Sequence, residues 1–271
     1  DGITNGIDYA RYDPRDTSIS LLPFEFDPAS GDLAGKYRCR SGFLEGLESL
    51  SPDSGIVRFG SLDPDPHAVF FSYHGRVAWQ KGIDVLERSA KDVLDALPSA
   101  RFLILGQGDP VLETLLIRMA SRYSGRFVYL RGYERSLARM AVAVSDFIVL
   151  PSAFEPCGLE DFIAQIFGTI PVAHAVGGLR KIRDGDNGYL YSSVPGEDDS
   201  AILSRLLVKL GERVVDSGGV GCASVPEYAR LIEAAAREVR ETYSWKRIID
   251  MRYLPLYENV LASLDTFSSF V

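Results

Sequence analysis

From residue 68 onward the chain alternates short apolar runs with longer amphipathic stretches. The apolar runs predict strands at 68–73, 101–105, 127–130, 146–150, 170–173 and 189–191. The amphipathic stretches predict helices at 83–97, 111–123, 135–144, 158–167, 198–213, 226–242 and 245–263. Near-continuous apolar strands are typical of a sheet buried on both faces, and strand–helix alternation indicates parallel strands. We therefore predict an α/β fold with a doubly wound, Rossmann-like parallel sheet.

The first 67 residues have a different texture. Asp-Pro and Ser-Pro dipeptides recur in them, and such pairs favour turns and extended linkers. We predict that residues 1–67 form an interdomain connector with one short helix near 33–49 and contribute no core. Residues 68–242 would then form the Rossmann-like domain, and residues 243–271 a C-terminal helix.

Composition excludes several classes of protein. The net charge of −8 argues against nucleic-acid binding, which depends on clustered Lys and Arg. No apolar run reaches the roughly 18–20 residues of a membrane span, so we expect no membrane partner. Cys39, Cys157 and Cys222 form no C-x-x-C pair, which indicates neither a disulfide framework nor a zinc site, and we expect a reducing, cytoplasmic setting. The start lacks both a signal peptide and an initiator Met, which is consistent with a piece of a longer chain.

Ligands bind doubly wound sheets outside the carboxyl ends of the strands, here the loops at 74–82, 106–110, 131–134, 151–158 and 174–180. In the first loop Gly75 allows close backbone approach to a ligand. Arg76 and Lys81 place two cations between a strand and a helix start, where a diphosphate would be stabilised. The alternative is an ordinary helix-start loop with two solvated cations.

The loop at 151–159 holds one carboxylate, Glu155, between two prolines. A carboxylate fixed there can accept hydrogen bonds from sugar hydroxyls or stabilise positive charge on a sugar ring. Alternatively, Glu155 caps the helix that follows. Cys157, two residues later, is more typical of a small buried residue than of a nucleophile.

Three further loop features carry weaker signals. The N–H groups of Gly177 and Gly178 could face an anion, although a glycine pair also suits an ordinary turn. Tyr133 could stack on a base or simply pack at the rim. The Gly106–Asp109 segment lacks the third glycine of a dinucleotide fingerprint, so a nicotinamide site is unsupported.

Together these motifs resemble the bacterial glycogen synthase and plant starch synthase family. The segment 76–82 is similar to its R-x-x-x-Q-K-G loop, and 151–159 to its highly specific P-S-x-F-E-P-C-G-L block. The segments 168–172 and 177–179 are similar to its G-T-x-P and G-G-L elements, and both ends of the chain, Asn5-Gly6-Ile7-Asp8 and Tyr243-Ser244-Trp245, also resemble it. The resemblance runs in one order over essentially the whole chain.

The resemblance implies one half of a GT-B fold. It also implies transfer of glucose from a nucleotide sugar, usually ADP-glucose and otherwise UDP-glucose, to the 4-hydroxyl of an α-1,4-glucan with retention, without a metal or other cofactor. By position, Arg76 and Lys81 would hold the diphosphate and Glu155 would lie beside the glucosyl ring as the catalytic set. The resemblance gives substrate contacts to Gly75, Tyr133, Cys157, Gly158, Leu159, Gly177 and Gly178.

The chain departs from the family pattern at several positions. Glu160 and Asp161 replace Thr or Asn and then Gln, and a carboxylate close to a diphosphate would repel it by roughly 1 kcal/mol or more. His174 stands where the family often has Arg, and Arg180-Lys181-Ile182 replaces acidic-Thr-Val. These changes bear on the choice of sugar donor and on activity.

The family's first domain, with its K-x-G-G-L loop and catalytic His, is absent from this sequence. We therefore expect the isolated chain to bind the sugar donor weakly, to reach the α-glucan acceptor only through that domain, and not to turn over. Two alternatives stay open. One is a GT-B transferase with a different acceptor, and the other is a non-catalytic sugar-nucleotide- or glucan-binding module.

Overall fold

The computed structural model describes residues 2–49 and 55–268, with the side chains of 263–268 left aside. Within those residues seven strands form one sheet: β1 (Val57–Leu62), β2 (Val69–His74), β3 (Ala100–Gly106), β4 (Arg126–Arg131), β5 (Phe147–Leu150), β6 (Ile170–His174) and β7 (Tyr189–Tyr191). Their order is β1-β4-β3-β2-β5-β6-β7, with β1 antiparallel to β4 and all other pairs parallel.

Helices cover both faces of the sheet. They are α1 (Thr17–Ser20), α2 (Ala34–Gly46), α3 (Ile83–Ala96), α4 (Pro110–Arg122), α5 (Arg135–Ala143), α6 (Glu160–Ile166), α7 (Asp199–Asp216), α8 (Pro226–Thr242), α9 (Trp245–Ile248) and α10 (Leu254–Ser268). A π-helical turn at Ile249–Tyr253 joins the last two. The predicted doubly wound α/β fold and its six parallel strands are confirmed, with strand bounds that move by at most one residue at either end.

The order of the parallel strands reverses between β2 and β5. From β2 the chain moves outward to β3 and β4, and it then returns to place β5, β6 and β7 on the other side. In such sheets this reversal opens a crevice between the loops that follow the two central strands. The loops at 74–82 and 151–159 therefore face each other.

Aromatic side chains tie the strands together on one face of the sheet. Phe127, Phe102, Phe71 and Phe147 stand on adjacent strands in register, with successive ring centroids 6.2, 5.1 and 5.4 Å apart. All four rings are fully buried under α3, α4, α7 and α8, in the larger of two hydrophobic clusters. The second cluster fills the opposite face, between the sheet and α2, α5 and α6.

The prediction that residues 1–67 contribute no core is wrong. Ile7, Leu22, Phe26 and Phe43 are buried in the second cluster. The same segment supplies β1, which pairs with β4 from Val57↔Arg131 to Leu62↔Arg126. This strand escaped prediction because it lies at the sheet edge, where most of its residues are only half-buried, and because Gly60 interrupts its apolar pattern. Part of the predicted turn-rich stretch, residues 50–54, lies outside the described residues.

A buried lysine links α2 to the Rossmann core. The Nζ of Lys36, fully buried, donates to the carbonyls of Ala143 and Ser145 at 2.7 Å each and of Phe167 at 3.2 Å, and to Thr169 Oγ1 at 2.8 Å. Two of these carbonyls lie at the C-terminal ends of α5 and α6. A cation is favoured there because the last carbonyls of a helix lack intrahelical partners.

The two ends of the domain also meet. The Ile7 N–H donates to the Tyr243 carbonyl at 2.7 Å, and Ile7 forms a parallel bridge with Ser244. The division into 1–67, 68–242 and 243–271 stays a prediction.

Across the described residues, every helix is too short or too polar to span a bilayer.

Candidate functional site

Two adjoining cavities lie at the carboxyl edge of the sheet, where the strand order reverses. The larger has a volume of about 410 Å³ and the smaller about 250 Å³. Both are lined by His74, Gly75, Arg76 and Glu160. The two cavities therefore adjoin along these four residues, and we call them together the edge cleft.

The smaller cavity brings together the three residues predicted to be catalytic. Arg76, Lys81 and Glu155 all line it. The Lys81 Nζ donates to Glu155 Oε2 at 2.5 Å, and both side chains are mostly but not wholly buried. The exposed Arg76 guanidinium makes no hydrogen bond or ion pair with any residue in the ranges 2–49 and 55–268. Arg76 is therefore a cation that is available to a ligand.

Close backbone packing holds Lys81 against the Glu155 turn. Gly82 has a φ of +66°, and a Cβ there would stand 2.0 Å from the Pro151 carbonyl oxygen. The Ala153 N–H donates to the Gln80 carbonyl at 3.0 Å. Any larger residue at 82 would push the two loops apart.

The alternative role of Glu155 as a helix cap is wrong. Helix α6 begins at Glu160 with Leu159 at its N-cap, and no side chain accepts a hydrogen bond there. The predicted start at Gly158 also fails, because the φ of +68° at that glycine is not helical. The Glu155 carboxylate is instead turned toward Lys81 and the smaller cavity.

Gly177 and Gly178 also pack against the turn that holds Glu155. The Gly178 N–H donates to the Glu155 carbonyl at 2.7 Å, so it does not face the cavity as predicted. A Cβ at Gly177 or Gly178 would lie 2.0 Å from the carbonyl oxygen of Glu155 or Cys157. Both glycines therefore permit close packing under the turn, and their predicted contact with substrate stays a prediction.

Three more residues of this turn are predicted to contact the substrate, and they differ in how far they are buried. Gly158 lines the smaller cavity, and Leu159 is 39% exposed. Cys157 is only half-buried, which contradicts its interpretation as a buried packing residue, and its thiol is free. Substrate contacts by these three residues stay predictions.

Tyr133 lies at the larger cavity with 71% of its surface exposed, so it does not pack at the rim. Tyr12, Arg135 and Arg139 line the same cavity. The Arg139 guanidinium lies 5.0 Å from the Tyr12 ring centroid and donates to the Arg11 carbonyl at 2.7 Å. Tyr12 and Arg139 were missed because Tyr12 falls in the supposed connector and Arg139 on an ordinary amphipathic helix.

The Gly106–Asp109 segment has a structural role. The Asp109 carboxylate accepts from the N–H groups of Val111 and Leu112 at 2.8 and 3.3 Å and so caps α4. The Asp109 carboxylate is therefore used within the protein, at the start of α4.

Asp161, one of the departures from the family pattern, points away from the cleft. Its Oδ1 lies 3.0 Å from the Lys181 Nζ, and both side chains are buried. The same ammonium donates to the carbonyls of Cys157, Gly158 and Gly178 at 2.9, 2.7 and 3.2 Å. Asp161 and Lys181, both unusual for the family, thus neutralise each other's charge. Lys181 also stabilises the Glu155 turn through these carbonyl contacts.

Glu160, the neighbouring departure, faces the cleft. Its Oε2 lies 2.8 Å from His74 Nε2. Burial raises the pKa of Glu160, an effect that His74 and Lys81 partly oppose. His174, the third departure, is occupied within the protein: Nδ1 lies 3.0 Å from the Ser152 carbonyl oxygen, and the ring stacks on Tyr191 at 4.8 Å.

A doubly wound sheet with cations gathered at its reversal point is the arrangement of nucleotide-binding α/β proteins. The profile of the family described as glycosyl transferases group 1 matches residues 68–210. The chain is 30% identical over 264 residues to the glycogen synthase of Thioalkalivibrio sulfidiphilus, covering 96% of this chain and 49% of that protein. It is 28% identical over 246 residues to starch synthase 1, chloroplastic/amyloplastic, of Arabidopsis thaliana, covering 90% and 34%.

Among solved structures, the catalytic domain of starch synthase IV from Arabidopsis thaliana, bound to ADP and acarbose, matches with a TM-score of 0.71 at 21% identity. That match covers 95% of this chain and 48% of the other, and it confirms the predicted half of a GT-B fold. The chain belongs to the glycosyl transferases group 1 family, and the predicted resemblance to glycogen and starch synthases is confirmed. It spans about half the length of the Thioalkalivibrio sulfidiphilus relative.

Proposed function

We propose that this chain is the sugar-donor-binding half of a glycosyltransferase of the glycogen and starch synthase type. The whole enzyme would transfer glucose from ADP-glucose, or from UDP-glucose, to an α-1,4-glucan with retention. The observation that carries the proposal is the convergence of Arg76, Lys81 and Glu155 on one cavity at the strand reversal point. The relatives support it, since they are glycogen and starch synthases.

The chemistry needs the two cations on the leaving group. Breaking the bond between glucose and the diphosphate leaves negative charge on a phosphate oxygen, and fixed cations lower the energy of that charge. Arg76 is free to contact the diphosphate, and Lys81 can exchange its 2.5 Å contact with Glu155 for one with phosphate. Glu155 would then lie beside the glucosyl ring, where a carboxylate stabilises developing positive charge.

The larger cavity suits the nucleoside. Tyr133 offers an exposed ring on which a base can stack, and Arg135 and Arg139 add positive charge nearby. Glucose at the smaller cavity and the base at the larger would place the diphosphate at their junction, next to Arg76. No metal or other cofactor is required by this arrangement.

Titration calorimetry on the chain with ADP-glucose, UDP-glucose, ADP and inorganic phosphate tests the proposal. We expect the chain alone to bind ADP-glucose and ADP weakly, because it spans about half the length of the glycogen synthase relative. We also expect no glucose incorporation into glycogen by the chain alone. If the chain instead bound glucan but no nucleotide, it would be a non-catalytic glucan-binding module. If it bound the nucleotide donor of a sugar other than glucose, it would belong to a different transferase.

A further inference from the structure

The ionic groups of the edge cleft are arranged in internal pairs. Lys81 pairs with Glu155 at 2.5 Å, and His74 contacts Glu160 at 2.8 Å. The Arg76 guanidinium has no hydrogen-bond or ion-pair partner in the part of the chain that the structure describes. The cleft therefore holds two carboxylates, Glu155 and Glu160, close to the place where an anion would bind.

The two carboxylates differ in their consequence for an anion. Glu155 faces the end of the smaller cavity that we assign to the sugar. Glu160 lines both cavities and so lies at their junction, where the diphosphate would pass.

We propose that Glu160 acts as a built-in competitor of the diphosphate and sets the affinity of the cleft for anionic ligands. This inference rests on the proposed function. His74 holds the Glu160 carboxylate at the junction, so a phosphate that approaches Arg76 and Lys81 meets a negative charge already in place. The cleft thereby discriminates against ligands of high negative charge, and a protonated Glu160 removes that discrimination.

Asp161 does not share this effect. Its carboxylate is fully buried beneath the turn and neutralised by Lys181 at 3.0 Å, so it contributes little field in the cleft. The competitor is therefore one residue, although two carboxylates stand side by side in the sequence.

The surroundings of Glu160 decide how the effect depends on pH. Charged and titratable groups face Glu160 from β2, from the loop after β2, from the turn after β5 and from helix α5. They are Tyr73, His74, Arg76, Lys81, Glu155, Arg135 and Arg139. Burial raises the pKa of Glu160, so the carboxylate takes up a proton at a higher pH than an exposed glutamate does. As the pH falls, repulsion of the diphosphate should fade.

The test compares Glu160→Gln with the wild-type chain and with Glu197→Gln as control. Glutamine keeps the size and removes the charge, while Glu197 pairs with Arg205 on the exposed surface, outside the residues that line the cleft. We expect Glu160→Gln to bind ADP and pyrophosphate roughly ten-fold more tightly at pH 8, because the variant removes a like charge at close range to the diphosphate. Glu197→Gln should match the wild type.

A pH series gives the second readout. The affinity ratio between Glu160→Gln and wild type should shrink toward one as the pH is lowered from 8 to 5, while titration of ADP itself cancels in the ratio. Glu160→Thr, which fits any space that glutamate occupies, repeats the test if the glutamine variant folds poorly by thermal unfolding.

Each outcome decides the inference. Equal ADP affinity in the wild type and both Glu160 variants, at every pH, overturns it and leaves the proposed function standing. A ratio above one that stays constant with pH keeps the competitor role and overturns its dependence on pH. Failure of all variants to bind ADP or pyrophosphate overturns both the inference and the proposed function.

Discussion

A lysine lies near each end of the sheet, and the two lysines differ in how many of their hydrogen bonds the protein itself uses. At the amino end, Lys36 is fully buried and makes four contacts with oxygen at 3.2 Å or less. At the carboxyl end, Lys81 keeps 21% of its side chain exposed and has a single partner, and Arg76 has none among the described residues. One lysine is saturated by the protein, and the other can still bind a ligand.

The difference separates structural from functional charge. A buried ammonium whose hydrogen bonds are all used stabilises the fold and cannot be reached by a substrate. A partly exposed ammonium beside one carboxylate gives little to stability but can exchange its partner. Variants at Lys36, Lys181 and Lys81 test this comparison.

Lys36→Met should have the largest effect. It removes one donor from three buried carbonyls and a hydroxyl. Thr169 Oγ1 still bonds to the Val142 and Ser145 carbonyls, but the Ala143 and Phe167 carbonyls lose this donor, so we expect the free energy of unfolding to fall by roughly 3 to 5 kcal/mol. Urea unfolding followed by circular dichroism measures this loss. Lys91→Met, which removes an exposed lysine paired with Asp95, should change it by less than about 0.5 kcal/mol. Similar losses in both variants would break the comparison.

Lys181→Met should come next, at roughly 3 kcal/mol, because it leaves the buried Asp161 without its cation. The double variant Asp161→Asn/Lys181→Met should recover a large part of that loss. No recovery in the double variant would mean that the carbonyl contacts of Lys181, and not its charge, stabilise the turn.

The same pair predicts a pH dependence. Burial raises the pKa of Asp161 from its ordinary 3.8 to about 6, with Lys181 opposing. Between those two values the folded chain binds a proton that the unfolded chain has released, so this residue's contribution to stability is complete below about pH 4 and is lost as the pH rises to about 6. Relative to Asp161→Asn, the wild type should lose stability across that window in urea unfolding; parallel curves would rule this out.

Of the variants at Lys36, Lys181 and Lys81, Lys81→Ala should change stability least and ligand binding most. We expect the free energy of unfolding to change by less than about 1 kcal/mol, because the pair with Glu155 is partly solvated. The affinity for ADP should fall roughly 10- to 100-fold, since charge-assisted contacts to phosphate are strong. Calorimetry measures the affinity for ADP, and urea unfolding of the same sample measures the stability. An unchanged affinity would mean that Lys81 does not contact the ligand.

Much of the fold was predictable because its determinants are local. Apolar runs and amphipathic periods located the parallel strands and most helix bounds, as at Pro226–Thr242, where prediction and structure coincide. Parallel strands deliver the loops after them to one edge, so the sequence also predicted that Arg76, Lys81 and Glu155 would meet. Edge strand β1 was missed, because its half-buried residues carry no strong period.

The sequence by itself thus determined the class of fold and the edge where the cleft lies. Only the tertiary structure decided which of two adjacent carboxylates faces that cleft. Consecutive helical residues point in directions about 100° apart, so Glu160 and Asp161 must diverge, but the assignment depends on Lys181 and His74, which come from distant strands and loops. Burial and pairing are properties of neighbours in space, and a linear pattern does not contain them.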